Sequence, residues 1–207
     1  MSNTVRLTVL DTLAKLVNRR EMQTSSDPKL GIEQIVDQAL ELLREEGMDK
    51  LSMRRLAGRV GIRAPSLYYY FPDKAALMAA MMERLFGRCL DAIPPTDDWR
   101  SWMQGFGRAI WEVQDIYPFT GELITASMLD AEYFRRTTAR LQATLARFGE
   151  DVDVLMRLQS SVQALMTGWS TFAHARYAGQ LGQMFDVEAV AFDSLDALIK
   201  GWAKDEA

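Results

Sequence analysis

The chain has 207 residues, 48% of them apolar, with one cysteine, one histidine and a formal charge of −4. That is apolar material for one large or two small packed domains. The lone Cys89 excludes an internal disulfide and fits a reducing cytoplasm. No apolar run nears the roughly 18–20 residues that span a bilayer, so no membrane role is expected.

Helical periodicity dominates, and no convincing alternating strand is found. Residues 5–22 read as an amphipathic extension, with Val9, Leu13, Leu16 and Val17 on one side. Arg6 and Asp11 break what would be the apolar core of a secretory signal, so none is expected. After "QTSSDP", the residues Ile32, Ile35, Val36, Ala39, Leu40 and Leu43 recur at steps of three and four and predict a helix of about four turns. Gly47 ends it. Ser52 can cap a short second helix with Leu56, Ala57 and Val60 inward, and Gly61 makes a sharp turn. Pro65 sits early in a third short helix, where a missing N–H costs little. Asp73 caps a fourth, with Leu77, Met78, Met81 and Leu85 on one face. "IPPTDD" (Ile93 to Asp98) breaks the pattern. Beyond it helices are expected near 98–116, 119–128, 130–149, 151–178 and 186–203, with "AGQLGQMFD" as a loop. The divisions that follow are 1–28 for the extension and linker, 29–92 for a first domain and 93–207 for a second.

Charge is unevenly placed. Between Lys50 and Lys74 lie Lys50, Arg54, Arg55, Arg59, Arg63 and Lys74 against Asp73 alone, in a chain that is acidic overall. A basic module on an acidic body steers one surface toward polyanions. Two short helices joined by a glycine turn and buttressed by a longer one make a helix-turn-helix, whose second helix enters the major groove of DNA. Leu67 and Phe71 can bury together, which leaves Pro65, Ser66, Tyr68 and Tyr69 outward and Tyr70 partly inward. Pro65 and a tyrosine ring offer apolar surface to a thymine methyl, and Ser66 can donate to a phosphate or base edge. Lys74 lies at a helix N-terminus that favours a phosphate.

The stretch "LSMRRLAGRVGIRAPSLYYYFPDKAAL" resembles the DNA-binding segment of the TetR family of bacterial transcriptional regulators, and the resemblance extends over about residues 29–90. It implies an all-α homodimer with an N-terminal helix-turn-helix domain and a divergent C-terminal ligand-binding and dimerisation domain. The implied function is a regulator, most often a repressor, that binds a palindromic double-stranded operator and is released by a small hydrophobic effector. The DNA-contacting set expected on this footing is Ser52, Arg54, Arg63, Ala64, Pro65, Ser66, Tyr68, Tyr69 and Lys74. Two departures from the family pattern stand out. Gly31 replaces the usual Ser or Thr cap of the first helix, and Arg63 opens the third where a small polar cap is common, so Arg63 is expected to reach toward DNA. In the family, metal-bound tetracycline sites use a histidine late in the fourth helix; "RCLDA" holds none here, so that ligand is not expected.

The second half crowds Trp99, Trp102, Phe106, Trp111, Tyr117 and Phe119 into one segment, with Met103 and Met128 nearby. Effector cavities are mostly apolar with a few placed polar groups, so Trp102, Phe106, Trp111, Phe119, Met128, Trp169 and His174 are the candidate lining. Glu122, Thr125, Gln163 and Thr167 are further sources of polarity. Dimerisation is expected through the last two helices, with Val162, Leu165, Trp169, Leu195, Ile199 and Trp202 as contacts. Two rival readings are an enzyme and a helical interaction module without a DNA role. A triad needs a histidine beside a nucleophile and a carboxylate, and His174 is the only one. A di-iron bundle needs Glu three residues before a histidine, where this chain has Thr171. "GFG" at 105–107 lacks the next glycine of a dinucleotide loop. No catalytic residue, metal or cofactor is therefore assigned, and an interaction module leaves the basic, tyrosine-bearing segment unexplained.

Overall fold

A computed structural model describes residues 31–126 and 131–202, and among them the regular structure is entirely helical. The expected extension helix at 5–22 and Met128 lie outside the described residues.

Helix α1 (Ile32–Glu46) buries Ile35, Val36, Ala39, Leu40 and Leu43 of the expected stripe and Leu42 beside them, whereas Ile32, in the first turn, is 55% exposed. Gly31 caps it without a side chain, and Gln34 Oε1 accepts the Gly31 N–H at 3.0 Å instead. A 3-10 turn (Met48–Lys50) leads to α2 (Met53–Arg59), capped by Ser52 Oγ accepting the Arg55 N–H at 3.3 Å. Gly61 has φ +74°, a left-handed conformation that side chains disfavour, and it turns the chain into α3 (Ala64–Leu67). Regular helix stops at Leu67, and residues 68–70 continue as turns. Pro72 disfavours helical geometry at Phe71, which truncates the segment. Asp73 Oδ1 accepts the Ala76 N–H at 2.8 Å and starts α4 (Lys74–Ala92), which buries Leu77, Met78, Met81 and Leu85 as expected.

The second half comprises α5 (Trp99–Ile116), α6 (Thr120–Ala126), α7 (Ala131–Ala146), α8 (Val152–Ala173), α9 (Ala178–Met184) and α10 (Val187–Trp202). Helix α5 is central, packed against α4, α8 and α10, while α6 rests on α4 and α7 on α4 and α8. A Cβ at Gly107 would meet Leu195 Cδ2 at 2.6 Å, so the glycine permits the close approach of α5 and α10. Trp102 stacks on Phe106 with centroids 5.4 Å apart and planes 9° off parallel. Phe86 of α4 meets Phe106 edge-on at 6.0 Å. This aromatic cluster ties α4 to α5.

Two expectations are corrected. The helix expected over 151–178 ends at Ala173, and the "AGQLGQMFD" segment expected as a loop holds α9. Gly179 and Gly182 leave too little apolar periodicity to betray so short a helix. Of the proposed dimer contacts, Val162, Leu195 and Ile199 are buried within the protomer, against neighbouring helices, whereas Leu165, Trp169 and Trp202 are half-buried. An apolar stripe records that a face is covered, not which helix covers it.

Asp98 caps α5, accepting the Ser101 N–H at 2.8 Å and the Ser101 O–H at 2.7 Å. These bonds hold its carboxyl below its ordinary range. Asp98→Ala is expected to cost about 0.5–2 kcal/mol at neutral pH, read as a lowered chemical-denaturation midpoint. Because the folded pKa is depressed, the stabilisation is full above the unfolded pKa and fades as pH falls through the folded one. The gap between wild type and variant should therefore close on acidification.

Candidate nucleic-acid interface

Helices α2 and α3 and the start of α4 carry the basic segment, and the fold divides its cations into two groups. The Arg55 guanidinium pairs with Glu46. Arg59 binds Glu45 through both terminal nitrogens, one at 2.8 Å, and its Nε donates to Gln38 Oε1 at 2.9 Å. The hydrogen bond to Arg59 pulls the Glu45 carboxyl below its ordinary range and pushes the guanidinium up. These two arginines thus brace α2 against α1. Arg54 and Arg63 are exposed, Lys74 is half-exposed, and none of the three has an ion pair among the described residues. Arg63 stands at the cap of α3 in extended conformation with no capping bond from its side chain, so the guanidinium is available for other contacts.

The aromatic residues divide as their spacing implies. Leu67 and Phe71 are buried, Tyr70 packs partly against the core, Tyr68 is 50% exposed and Tyr69 94%. Pro65 and Ser66 are exposed and Ala64 half-buried. Ser52 is also exposed; its oxygen accepts from Arg55 while the hydroxyl proton remains able to donate outward. All nine expected residues lie on α2 and α3, at the caps Ser52 and Arg63 that open them, in the turn after α3, or at the first residue of α4. Unpaired cations beside exposed, stackable rings suit a phosphate backbone and base edges.

A second feature lies in the other half. Helices α4, α5, α6 and α8 line a partly open cavity of about 30 Å³, room for about one water molecule. Its wall includes Met82, Phe86, Ile110, Ile124 and the polar Gln114, Thr120, Gln163 and Thr167. Gln114 Nε2 donates to Thr167 Oγ1 at 3.0 Å, and Gln159 Nε2 to Gln163 Oε1 at 3.0 Å. Cys89 also lines it; burial pushes its thiol up to about 12, so it stays neutral. A larger surface groove, about 270 Å³, runs between the Pro94–Thr96 loop, α5 and α10.

The aromatic candidates stand elsewhere. Trp102 and Phe106 belong to the packed cluster above. Trp111 lies edge-on to Phe192 at 5.8 Å, and Phe119 to Tyr117 at the same distance. Trp169 meets Phe172 and Phe185 edge-on. His174 Nδ1 is 2.8 Å from Ser170 O and Nε2 3.4 Å from Asp115. None of the candidates Trp102, Phe106, Trp111, Phe119, Trp169 and His174 lines the cavity or the groove, although Phe192 borders the groove. Of the polar candidates, Gln163 and Thr167 do line the cavity. Gln114 was missed, although an amide on the apolar face of a helix was a legible sign of a buried polar site.

Three comparisons bear on this arrangement. The family model for bacterial regulatory proteins, tetR family, matches residues 35–81. The class C tetracycline repressor protein of Escherichia coli is 40% identical over 93 residues, 42% of either chain. An HTH-type transcriptional regulator of Saccharopolyspora erythraea is 28% identical over 131 residues, 63% of this chain and 56% of its own. The chain therefore matches about two fifths to somewhat over half the length of these relatives. Among solved structures, a TetR variant from Acinetobacter baumannii AYE in complex with minocycline gives a TM-score of 0.69 at 24% identity, covering 86% of this chain and 99% of that one. The Streptomyces coelicolor TetR family protein ActR in complex with (S)-DNPA gives 0.68 at 17% identity, covering 87% and 100%. At these identities the structural likeness is one of fold.

Proposed function

This chain belongs to the TetR family of bacterial regulatory proteins, and on that premise we propose that it is a ligand-responsive transcriptional repressor without catalytic activity. In this reading it acts in the cytoplasm as a homodimer on a palindromic duplex operator and is released by a small hydrophobic effector. The observation that carries the reading is the set Arg54, Arg63 and Lys74, unpaired among the described residues and grouped with the exposed Tyr68 and Tyr69 rings. Arg55 and Arg59 hold the helices that present them. A neutral cavity wall of hydroxyl, amide and apolar groups suits an uncharged effector. In the solved relatives, minocycline and (S)-DNPA are bound; which molecule serves here is a matter for screening.

The test is a gel shift with bulk duplex DNA at two salt concentrations, followed by selection of an operator from a random pool. Each phosphate contact releases condensed counterions, so several contacts predict a loss on the order of 10³-fold between about 50 and 200 mM salt. A flat salt response, or no binding at either concentration, would leave the interaction-module reading in its place.

A further inference from the structure

The surface groove between the Pro94–Thr96 loop, α5 and α10 differs from the cavity in size and in chemistry. Its 270 Å³ equals the liquid share of about nine water molecules, the scale of a small organic molecule. Leu195 and Phe192 of α10 and the rings of Pro94 and Pro95 give it apolar surface. Neither proline has an N–H, so their backbone can only accept hydrogen bonds. The loop is tied in place at its end. Arg147 Nη2 donates to Thr96 O at 3.3 Å, and Thr96 Oγ1 accepts the Asp98 N–H at 3.1 Å.

Two opposite charges line this groove without meeting. Arg108 of α5 lies over the Phe192 ring, its guanidinium carbon 4.3 Å from the centroid. Asp196 of α10 accepts a hydrogen bond from Gln104 Nε2 at 3.2 Å. Each charge is thus held by a neutral neighbour, and neither has an ion pair among the described residues. Gln104 and Arg108 are one turn apart on α5, as Phe192 and Asp196 are on α10. The contacts join Arg108 to Phe192 and Gln104 to Asp196, so the two charges stand at successive turns along the groove, a step of roughly 5 Å. Both are half-buried, where charges interact more strongly than in open water.

We propose that this groove binds an apolar α-amino acid, its carboxylate on Arg108, its ammonium on Asp196 and its side chain against Phe192, Leu195 and the proline rings. One carbon separates the two charged groups of such a ligand. With a hydrogen bond of about 2.8 Å at each end, they bridge protein groups roughly 5–8 Å apart, which is the spacing found here. A simple organic acid would bring its charge up against Asp196, and a simple amine would bring its own up against Arg108. Each would also leave one half-buried charge unpaired, which is costly. The groove shares no lining residue with the cavity, and the proposal does not rest on the regulatory reading.

Isothermal titration calorimetry on the full chain, without DNA, tests this with L-leucine and L-phenylalanine as probes. At least one is expected to bind once per chain with a Kd of about 1 mM or tighter. The matched acids (isocaproate, hydrocinnamate) and amines (isoamylamine, phenethylamine) should each bind at least about tenfold more weakly. Arg108→Gln and Asp196→Asn should each weaken the amino acid by a similar factor, with circular dichroism as the folding control. The analogue series needs only wild-type protein, so it decides the matter even where a variant fails to fold. Binding of neither amino acid, an acid or amine that binds as tightly as its amino acid, or folded variants of wild-type affinity would overturn the proposal.

Discussion

Arg63→Ala is expected to lower affinity for the selected operator about ten- to a hundredfold and to relax preference at the base pair it reads, whereas Arg55→Ala should leave affinity within about threefold. The contrast follows from geometry. Both are exposed arginines of one short segment, but the Arg55 guanidinium is occupied by Glu46 while Arg63 opens α3 without a partner among the described residues. A guanidinium in the major groove can make a bidentate contact to guanine, worth about 1–3 kcal/mol of discrimination. Losing an exposed pair such as Arg55–Glu46 costs about 0–1 kcal/mol of folding stability. Titration of both variants against the operator and a scrambled duplex, at fixed salt, checks this. Equal losses in the two variants would show that the carboxylates of α1 do not divide the arginines.

Ala197→Arg should convert a dimer into a monomer and reduce operator affinity by more than about a hundredfold, because two linked half-site contacts gain about 10²–10⁴ over one. The outer faces of α8 and α10 offer Leu165, Trp169 and Trp202 half-buried and Phe172 at 45% exposure, beside the exposed Gly168, Ala197 and Gly201. Small residues let two copies approach closely, while the flanking rings supply apolar area. A two-fold pairing here would place the recognition helices roughly 34–36 Å apart, one turn of duplex. Ala197 is exposed in the protomer, so the substitution should spare the fold. Light scattering at micromolar concentration, with circular dichroism as the folding control, reads the outcome. A monomeric wild type, or a variant that remains dimeric, would remove this interface.

What the sequence determined by itself is local. The glycine turns at Gly47 and Gly61, the caps at Ser52 and Asp73, and the outward Tyr68 and Tyr69 beside inward Leu67 and Phe71 depend on backbone freedom, on one side-chain acceptor, or on which side of a turn a residue occupies. Each is decided within about four residues, the reach of helical periodicity. That is why the basic, tyrosine-bearing surface was legible as a patch. Tertiary structure decided which of its cations are free. The acids holding Arg55 and Arg59 lie nine and fourteen residues back, on another helix, and nothing in the spacing of "MRRLAGR" marks two arginines as braces. The same holds more strongly in the second half. Tyr117 reaches partners 29 and 76 residues away, and Trp102 and Phe106 pack together where an aromatic cluster suggested an effector site. Burial by one's own core, by a ligand and by a second copy leaves the same apolar stripe in a sequence, because the hydrophobic effect rewards loss of water and does not depend on what replaces it.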